Sequence, residues 1–279
     1  MFTILFLGFI NMSFNINAMI NGMPGKMAQI VAEACAKRKF NVIPFSLTGE
    51  DMAEFNGFAL LKSTERENKI AGILKEYPNL IAVDYTHPSA VNGNAEFYVK
   101  HKIPFVMGTT GGDRDALMAL VKNANHPCVI APNMAKQIVA LQAMLEWTAK
   151  NFPGAFGGYG LKVVESHQKT KADTSGTAKA LVKSFLEMGA KGNEPIIEMV
   201  RDEESQVSKM LVPSEHLGGH AFHTYSLDST DRSVHFEFRH NVCGREVYAE
   251  GTADAVEFLA KKIAAGQGRV FDMIDVLRG

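Results

Sequence analysis

The segment Glu165-Ser-His-Gln-Lys-Thr-Lys-Ala-Asp-Thr-Ser-Gly-Thr-Ala178 concentrates the groups in this chain that could do chemistry. It holds one imidazole, His167, two ammonium groups, Lys169 and Lys171, and a hydroxyl-lined turn from Thr174 to Thr177. A Ser-Gly-Thr turn ahead of a helix can cap it, and the unpaired backbone N–H groups there point toward a bound anion. A proton donor, a cation and an oxyanion cradle on one loop are what is needed to hold a carboxylate and protonate the atom beside it. A lone His or Lys is more often a partly buried or solvated residue. Here the shared loop favours catalytic roles for His167 and Lys171.

Elements that could position this loop flank it directly. Leu161–Val164 reads as a strand, and Lys179–Met188 as a helix with small or apolar residues at helical spacing. Upstream, strands are expected at 15–20, 41–47, 58–61, 80–84, 103–107 and 127–131. Helices are expected between them, near 27–35, 65–76, 88–101 and 113–125. Alternation at this spacing implies an α/β fold with a parallel, doubly wound sheet. After Asn133 the pattern changes to a long helix, Lys136–Asn151, and a glycine-rich connector from Pro153 to Gly160. Strand-like runs then follow without intervening helices, at 196–200, 219–227, 233–239 and 246–250, before a last helix over 254–265. Period-two alternation from Ser233 to His240 fits a sheet with one covered and one open face.

Glycine turns at strand ends add a second chemistry. Gly22-x-x-Gly25-x-x-Ala28 lies between the first strand and first helix, where glycine lets the backbone approach a pyrophosphate. This makes Gly22, Met23, Pro24, Gly25, Lys26 and Met27 candidate cofactor contacts. No acid stands at the end of the second strand to bind a ribose diol. Ser46-Leu-Thr48 takes its place, and Thr48 with Lys26 would accept a 2′-phosphate, so NADPH is favoured over NADH. Asp84-Tyr-Thr86, Gly108-Thr109-Thr110-Gly111 and Ala131-Pro132-Asn133-Met134 end further strands, where ligands of such sheets bind. Any one of these could be an ordinary turn; their coincidence at strand ends argues against that.

Five histidines, at 216, 220, 223, 235 and 240, spread over two or three strands with no cysteine or carboxylate partner set, so substrate contacts or plain sheet surface are expected there rather than a metal site. His240 and Arg245 end an open-faced strand, where arginine suits a carboxylate; a salt-bridged structural arginine is the rival reading.

Composition excludes other classes. The 279 residues balance 29 Lys+Arg against 30 Asp+Glu, with no basic stripe for nucleic acid and no charged tail for a membrane surface. Three separated cysteines fit a reducing compartment. The apolar run Met1–Ile10 lacks the basic flank and cleavage site of a signal peptide. It reads as a start placed ahead of the true one at Met12. The absence of an Arg- and Ser-rich leader favours the cytoplasm.

Taken in order, these motifs resemble the 4-hydroxy-tetrahydrodipicolinate (dihydrodipicolinate) reductase family. The wording of Glu165–Ala180 is nearest its plant-like branch, and the resemblance runs from about Ile16 to Leu277. It takes in Gly108–Gly111, His240 with Arg245, and the closing Phe271-Asp-Met-Ile-Asp-Val-Leu277. The resemblance implies a Rossmann-like dinucleotide domain over 15–132 and 251–279, and an α+β substrate and oligomerisation domain with an open mixed sheet over 133–250. It implies a homotetramer acting in lysine and diaminopimelate biosynthesis. The nicotinamide would sit near Gly108–Thr110 and Ala131–Met134. His167 would be the proton donor and Lys171 the catalytic lysine. Gln168, Ser175, Gly176, Thr177, His240 and Arg245 would contact a small dicarboxylate substrate. Gln168 departs from the commoner bacterial form, which has a second histidine there, a proline before Ser-Gly-Thr and one more residue in the loop. Two rivals stay open: another two-domain nicotinamide-dependent imine reductase, and a non-catalytic nucleotide-sensing relative.

Overall fold

The computed structural model describes residues 15–192 and 195–279. The reading of Met1–Ile10 lies outside them. The chain divides into two compact units, one formed by residues up to 128 with 256–270, the other by 129–255 with 271–279.

The first unit opens with β1 (Asn17–Asn21), α1 (Lys26–Lys37) and β2 (Asn41–Val42), followed by β3 (Phe45–Leu47), β4 (Glu54–Phe55) and β5 (Phe58–Leu61). It continues through α2 (Arg66–Glu76), β6 (Leu80–Asp84), α3 (Val91–Lys100), β7 (Phe105–Met107) and α4 (Arg114–Asn123) to β8 (Cys128–Ile130). Next come α5 (Lys136–Asn151), β9 (Gly160–His167), α6 (Gly176–Glu187), β10 (Ile197–Val200), α7 (Glu203–Ser208), β11 (His220–Asp228) and β12 (His235–Cys243). The chain closes with α8 (Glu246–Ala264), β13 (Val270–Phe271) and α9 (Met273–Arg278).

A six-stranded sheet runs β13-β8-β7-β6-β1-β2, with β1 parallel to both β2 and β6, and β6 parallel to β7. Every residue of β1 and β6 is buried, as expected of strands covered on both faces. This is the doubly wound, Rossmann-like sheet. The strand expected over 41–47 is broken in two. Pro44 has no N–H to donate, so pairing with β1 stops at Ile43, whose N–H donates to the Ala18 carbonyl. Phe45–Leu47 then joins a small separate sheet in the order β3-β5-β4. Its hairpin turns at Asn56-Gly57, both with positive φ (48° and 83°), an Asn-Gly signal the strand reading passed over.

The second sheet is mixed, in the order β10-β9-β11-β12, with β10 parallel to β9 and the rest antiparallel. Odd-numbered β9 residues Leu161 and Val163, with Tyr225 and Leu227 of β11, meet Leu145 of α5 and Leu181 and Phe185 of α6 in one core. The opposite face carries Lys162, Thr224, Ser226, Glu237 and Arg239, all partly or fully exposed. The expected strand at Glu246–Glu250 is instead the start of α8. Gly251, between the expected strand and the expected helix, is a helical residue. An added Cβ would lie 1.7 Å from the Met134 carbonyl oxygen, so the glycine marks a close backbone approach.

Candidate active site

In the first unit, the turn from Gly22 to Met27 is held by the protein itself. Gly22 N–H donates to the Leu47 carbonyl (2.9 Å), Gly25 N–H to the Gly22 carbonyl (2.8 Å) and Met23 N–H to Ser46 Oγ (3.2 Å). Gly22 has φ 110°, and a Cβ there would come within 2.2 Å of the Tyr85 carbonyl oxygen. Glycine is therefore required by both conformation and space. The start of α1 carries no side-chain cap, which leaves its first turn, at Lys26, Met27 and Ala28, as the place for an anion. Thr48 was read as a 2′-phosphate partner, but its hydroxyl donates to the Met23 carbonyl (3.0 Å) and accepts from Glu50 N–H (3.0 Å). Its visible role is to pin the glycine turn to the end of β3.

Asp84 is a buried hub that sequence reading treated only as part of a turn. Its Oδ1 accepts from the Thr86 hydroxyl (2.7 Å) and the Thr109 hydroxyl (2.8 Å), and its Oδ2 from Tyr98 OH (2.7 Å) and Asn94 Nδ2 (2.9 Å). Gly108 and Thr109 N–H both donate to its carbonyl. A Cβ on Gly108 would strike the Tyr85 ring at 2.4 Å. Thr109 is thus a fixed part of the turn, while Thr110 is exposed.

In the second unit, β9 delivers His167 as its last residue, and Ser175 caps α6, its Oγ accepting from Ala178 N–H. The helix begins at Gly176, three residues earlier than its apolar periodicity indicates. The loop between is tied down by Arg201, just beyond β10. Arg201 Nε donates to the Lys171 carbonyl (2.8 Å), and Nη2 donates to the Asp173 carbonyl (3.3 Å) and to Glu165 Oε1 (2.5 Å). Glu165 is fully buried, and its Oε2 accepts from Ser175 N–H at 2.9 Å. Burial alone would raise this carboxyl; His223, Arg201 and the Ser175 N–H hold it down at about 2. Lys171 Nζ donates to Asp173 Oδ1 at 2.6 Å.

Strand register brings His223 to this place. Glu165 pairs with His223, and His223 with His240, so the three stand in one row on the helix-covered face. His167 Nδ1 lies 3.1 Å from the His220 carbonyl, and its Nε2 lies 3.2 Å from His223 Nε2. Burial, then the adjacent His223, lower the His167 imidazole to about 4. His240, 4.5 Å ring-to-ring from His223 and 3.5 Å from Tyr225 OH, is held at about 4 by burial, then by His223 and His167.

The carboxylate partner that the histidine spacing did not reveal is therefore Glu165. One ligand-type atom each of Glu165, His167 and His223 lie within 4.8 Å, a metal-like spacing. The carboxylate's oxygens, however, are taken by Arg201 and Ser175, and the guanidinium opposes a dication there. The remaining histidines divide: His220 pairs with Ser166 Oγ (2.8 Å) and His235 with Asp228 (2.8 Å). Asn133 of the Ala131–Met134 turn donates to Thr177 Oγ1 at 3.3 Å, joining a predicted cofactor turn to a predicted substrate turn. The Arg245 guanidinium makes no ion pair among the described residues. Gln168 accepts Lys171 N–H at its carbonyl, closing a tight turn after His167.

Two family descriptions, "Dihydrodipicolinate reductase, N-terminus" and "Dihydrodipicolinate reductase, C-terminus", match residues 16–134 and 137–277. The chain belongs to the dihydrodipicolinate reductase family. It is 50% identical to 4-hydroxy-tetrahydrodipicolinate reductase 1, chloroplastic, of Arabidopsis thaliana, over 94% of this chain and 78% of that one. It is 48% identical to a probable chloroplastic 4-hydroxy-tetrahydrodipicolinate reductase 1 of Oryza sativa subsp. japonica, over 93% and 78%. The dipicolinate-bound dihydrodipicolinate reductase from Paenisporosarcina sp. TG-14 shares the fold, with a TM-score of 0.65 at 17% identity over 93% of this chain and 98% of that one. Within this dihydrodipicolinate reductase fold, Glu165 and Arg201 are functional candidates to which the sequence alone gives no role, and His223, expected there as a substrate contact or plain sheet surface, joins them. Glu165 lies inside the motif at 165–178; Arg201 and His223 are 36 and 58 residues beyond Glu165, and only strand pairing brings them in.

Proposed function

We propose that this chain reduces 4-hydroxy-tetrahydrodipicolinate to tetrahydrodipicolinate with a nicotinamide cofactor, in lysine and diaminopimelate biosynthesis. The observation that carries the reading is one loop holding His167, Lys171 and the Ser175–Thr177 helix start, braced by the pair of buried Glu165 with partly buried Arg201. The cofactor fits the residues present: Gly22 where no side chain has room, and an uncapped first turn of α1 for its phosphates. When bound, the dihydronicotinamide supplies a hydride to the ring carbon that bore the substrate's hydroxyl. His167 provides the proton that meets the charge developing along the conjugated carbon–nitrogen system. Lys171, held at hand by Asp173, exchanges that partner for a substrate carboxylate. The N–H groups of Gly176 and Thr177 donate to the same carboxylate at the helix start. Gln168, His240 and Arg245 complete the substrate contacts.

NADPH is preferred on this reading, because Lys26 opens α1 and no acid ends β3. The functional domains are residues 15–132 with 251–279 and residues 133–250, and the assembly is a homotetramer. The cytoplasm is retained as the proposed compartment, against the plastid named for the plant relatives; imaging a tagged full-length chain in its own cell decides between them. Among the described residues no helix is long and apolar enough to cross a membrane. The deciding assay follows NADPH and NADH oxidation with freshly generated hydroxy-tetrahydrodipicolinate. Turnover that pyridine-2,6-dicarboxylate inhibits competitively is expected. Cofactor binding without turnover of this imine would overturn the assignment in favour of a different imine substrate or a nucleotide-sensing role.

A further inference from the structure

His167 presents a difficulty as a lone acid. A carbonyl oxygen can only accept, so the 3.1 Å contact with His220 puts the His167 proton on Nδ1. Its Nε2 is then a lone pair, and the 3.2 Å contact with His223 requires that His223 carry its own proton on Nε2 and donate it. In this neutral arrangement His167 has no spare proton to give. Delivering the proton between the rings would leave an imidazolate, which is not a viable product near neutral pH. His223 Nδ1 is meanwhile buried, without a hydrogen-bond partner, and is therefore a vacant acceptor. The Glu165 carboxylate lies 3.7 Å from His223 Nε2.

We propose that His167 and His223 act together as a two-imidazole acid, loaded with one proton from solvent when the dicarboxylate binds, and that Glu165 is the buried counter-charge that holds it there. The inference rests on His167 being the proton donor, as argued above. The added proton enters at His223 Nδ1. The His223 Nε2 proton then shifts to His167 Nε2, which passes it to the substrate carbon as hydride arrives at the neighbouring position. The pair is then neutral with the His223 proton on Nδ1, and exchange with solvent returns that proton to Nε2 before the next cycle, so one proton is consumed per turnover.

The surrounding charges explain why loading waits for substrate. Lys171 and Arg201 face the pair from the loop and from the end of β10, and both oppose a further cation. Glu165 favours one, but Arg201 and the Ser175 N–H already draw on its charge. His220 and Tyr225 from β11, and His240 from β12, are the remaining titratable neighbours. Asp173 is turned to Lys171. Two incoming carboxylates, one of them on Lys171, remove the opposition. His223 then acts on substrate only through His167 and is a positioning and proton-supplying residue.

Calorimetric titration of the full chain with pyridine-2,6-dicarboxylate at pH 7, in phosphate and in Tris, measures the protons taken up. Close to one proton per site is expected in the wild type. His223→Gln should cut this to a small fraction, lower the turnover rate by one to two orders of magnitude and shift the acid limb of its pH profile. KM for the cofactor should stay unchanged. Binding with no proton uptake in the wild type overturns the pair while leaving the reductase assignment standing. So does unchanged uptake in His223→Gln. Absence of dicarboxylate binding overturns the reading of the site and the pair with it. Nitrogen-15 spectra of the wild type give a check that needs no variant: a proton on Nδ1 rather than Nε2 of His223 in the free protein excludes the arrangement.

Discussion

At the scale of single residues, the site is set by where buried charge is allowed to settle. Replacing His167 by Gln keeps a hydrogen-bonding side chain at the end of β9 but removes the titrating group. The turnover rate should fall by roughly two to four orders of magnitude, the usual span for loss of a general acid, with cofactor affinity unchanged. Steady-state rates beside a cofactor titration check this, and near-normal turnover would deny His167 its role. The same histidines make stability depend on pH. His167 and His240 sit at about 4 in the folded chain against an ordinary 6.5. Between those values the unfolded chain binds protons that the folded chain refuses. Their stabilising contribution is therefore complete above pH 6.5 and is lost as the pH falls toward 4. Glu165, at about 2 against an ordinary 4.5, contributes above pH 4.5 and loses that contribution only in stronger acid. Urea unfolding at pH 7.5, 6.0 and 5.0 should show free energy falling by up to about 1.4 kcal/mol per pH unit for each such histidine. His240→Phe, which keeps a ring against Tyr225, should flatten that slope; an unaltered slope would mean His240 titrates normally.

At the scale of elements, glycines record where backbone meets backbone. Alanine in a helix interior is normally favoured over glycine by about 1 kcal/mol. In α8 the sign should reverse, because a Cβ on Gly251 meets the Met134 carbonyl, which cannot rotate away as a side chain would. Gly251→Ala is expected to destabilise by roughly 1–3 kcal/mol. It should also weaken cofactor binding through the displaced Ala131–Met134 turn; a stabilised variant in thermal unfolding would refute this. Much of this element map was legible, because strand–helix alternation and glycine turns are local signals. Lys136–Asn151 was bounded correctly from its apolar spacing alone. The first turn of α8 was misread because Val247 and Tyr248 favour strands locally, whereas the Met134 contact that makes Gly251 compatible with a helix is remote in sequence. The split after Val42 follows from Pro44, a local signal, since proline cannot donate to the sheet ladder. Within the site, the donor loop could be read because its residues are contiguous. Glu165's partners could not, since Arg201 and His223 arrive only through the register of β9 with β10 and β11.

At the scale of the whole molecule, the second sheet poses the remaining physical question. Helices α5 and α6 cover one face, while the other presents Lys162, Thr224, Ser226, Glu237 and Arg239 with no layer of the second unit described over it. A polar, open antiparallel face is stable in water, so it does not by itself demand a partner. The proposed homotetramer gives it one, as a self-complementary contact between copies. Thr224 is the discriminating position, because it is flanked across the sheet by Arg239 on one side and Val164 on the other. Thr224→Glu adds a charge that a solvated face accepts at little cost, helped by Arg239, but that a contact between copies would have to bury close to its own symmetry mates. If this face joins the subunits, light scattering should show the wild type at four chains and Thr224→Glu at one or two, with the far-ultraviolet circular dichroism unchanged. A variant that keeps the four-chain mass would move the subunit contact to another surface.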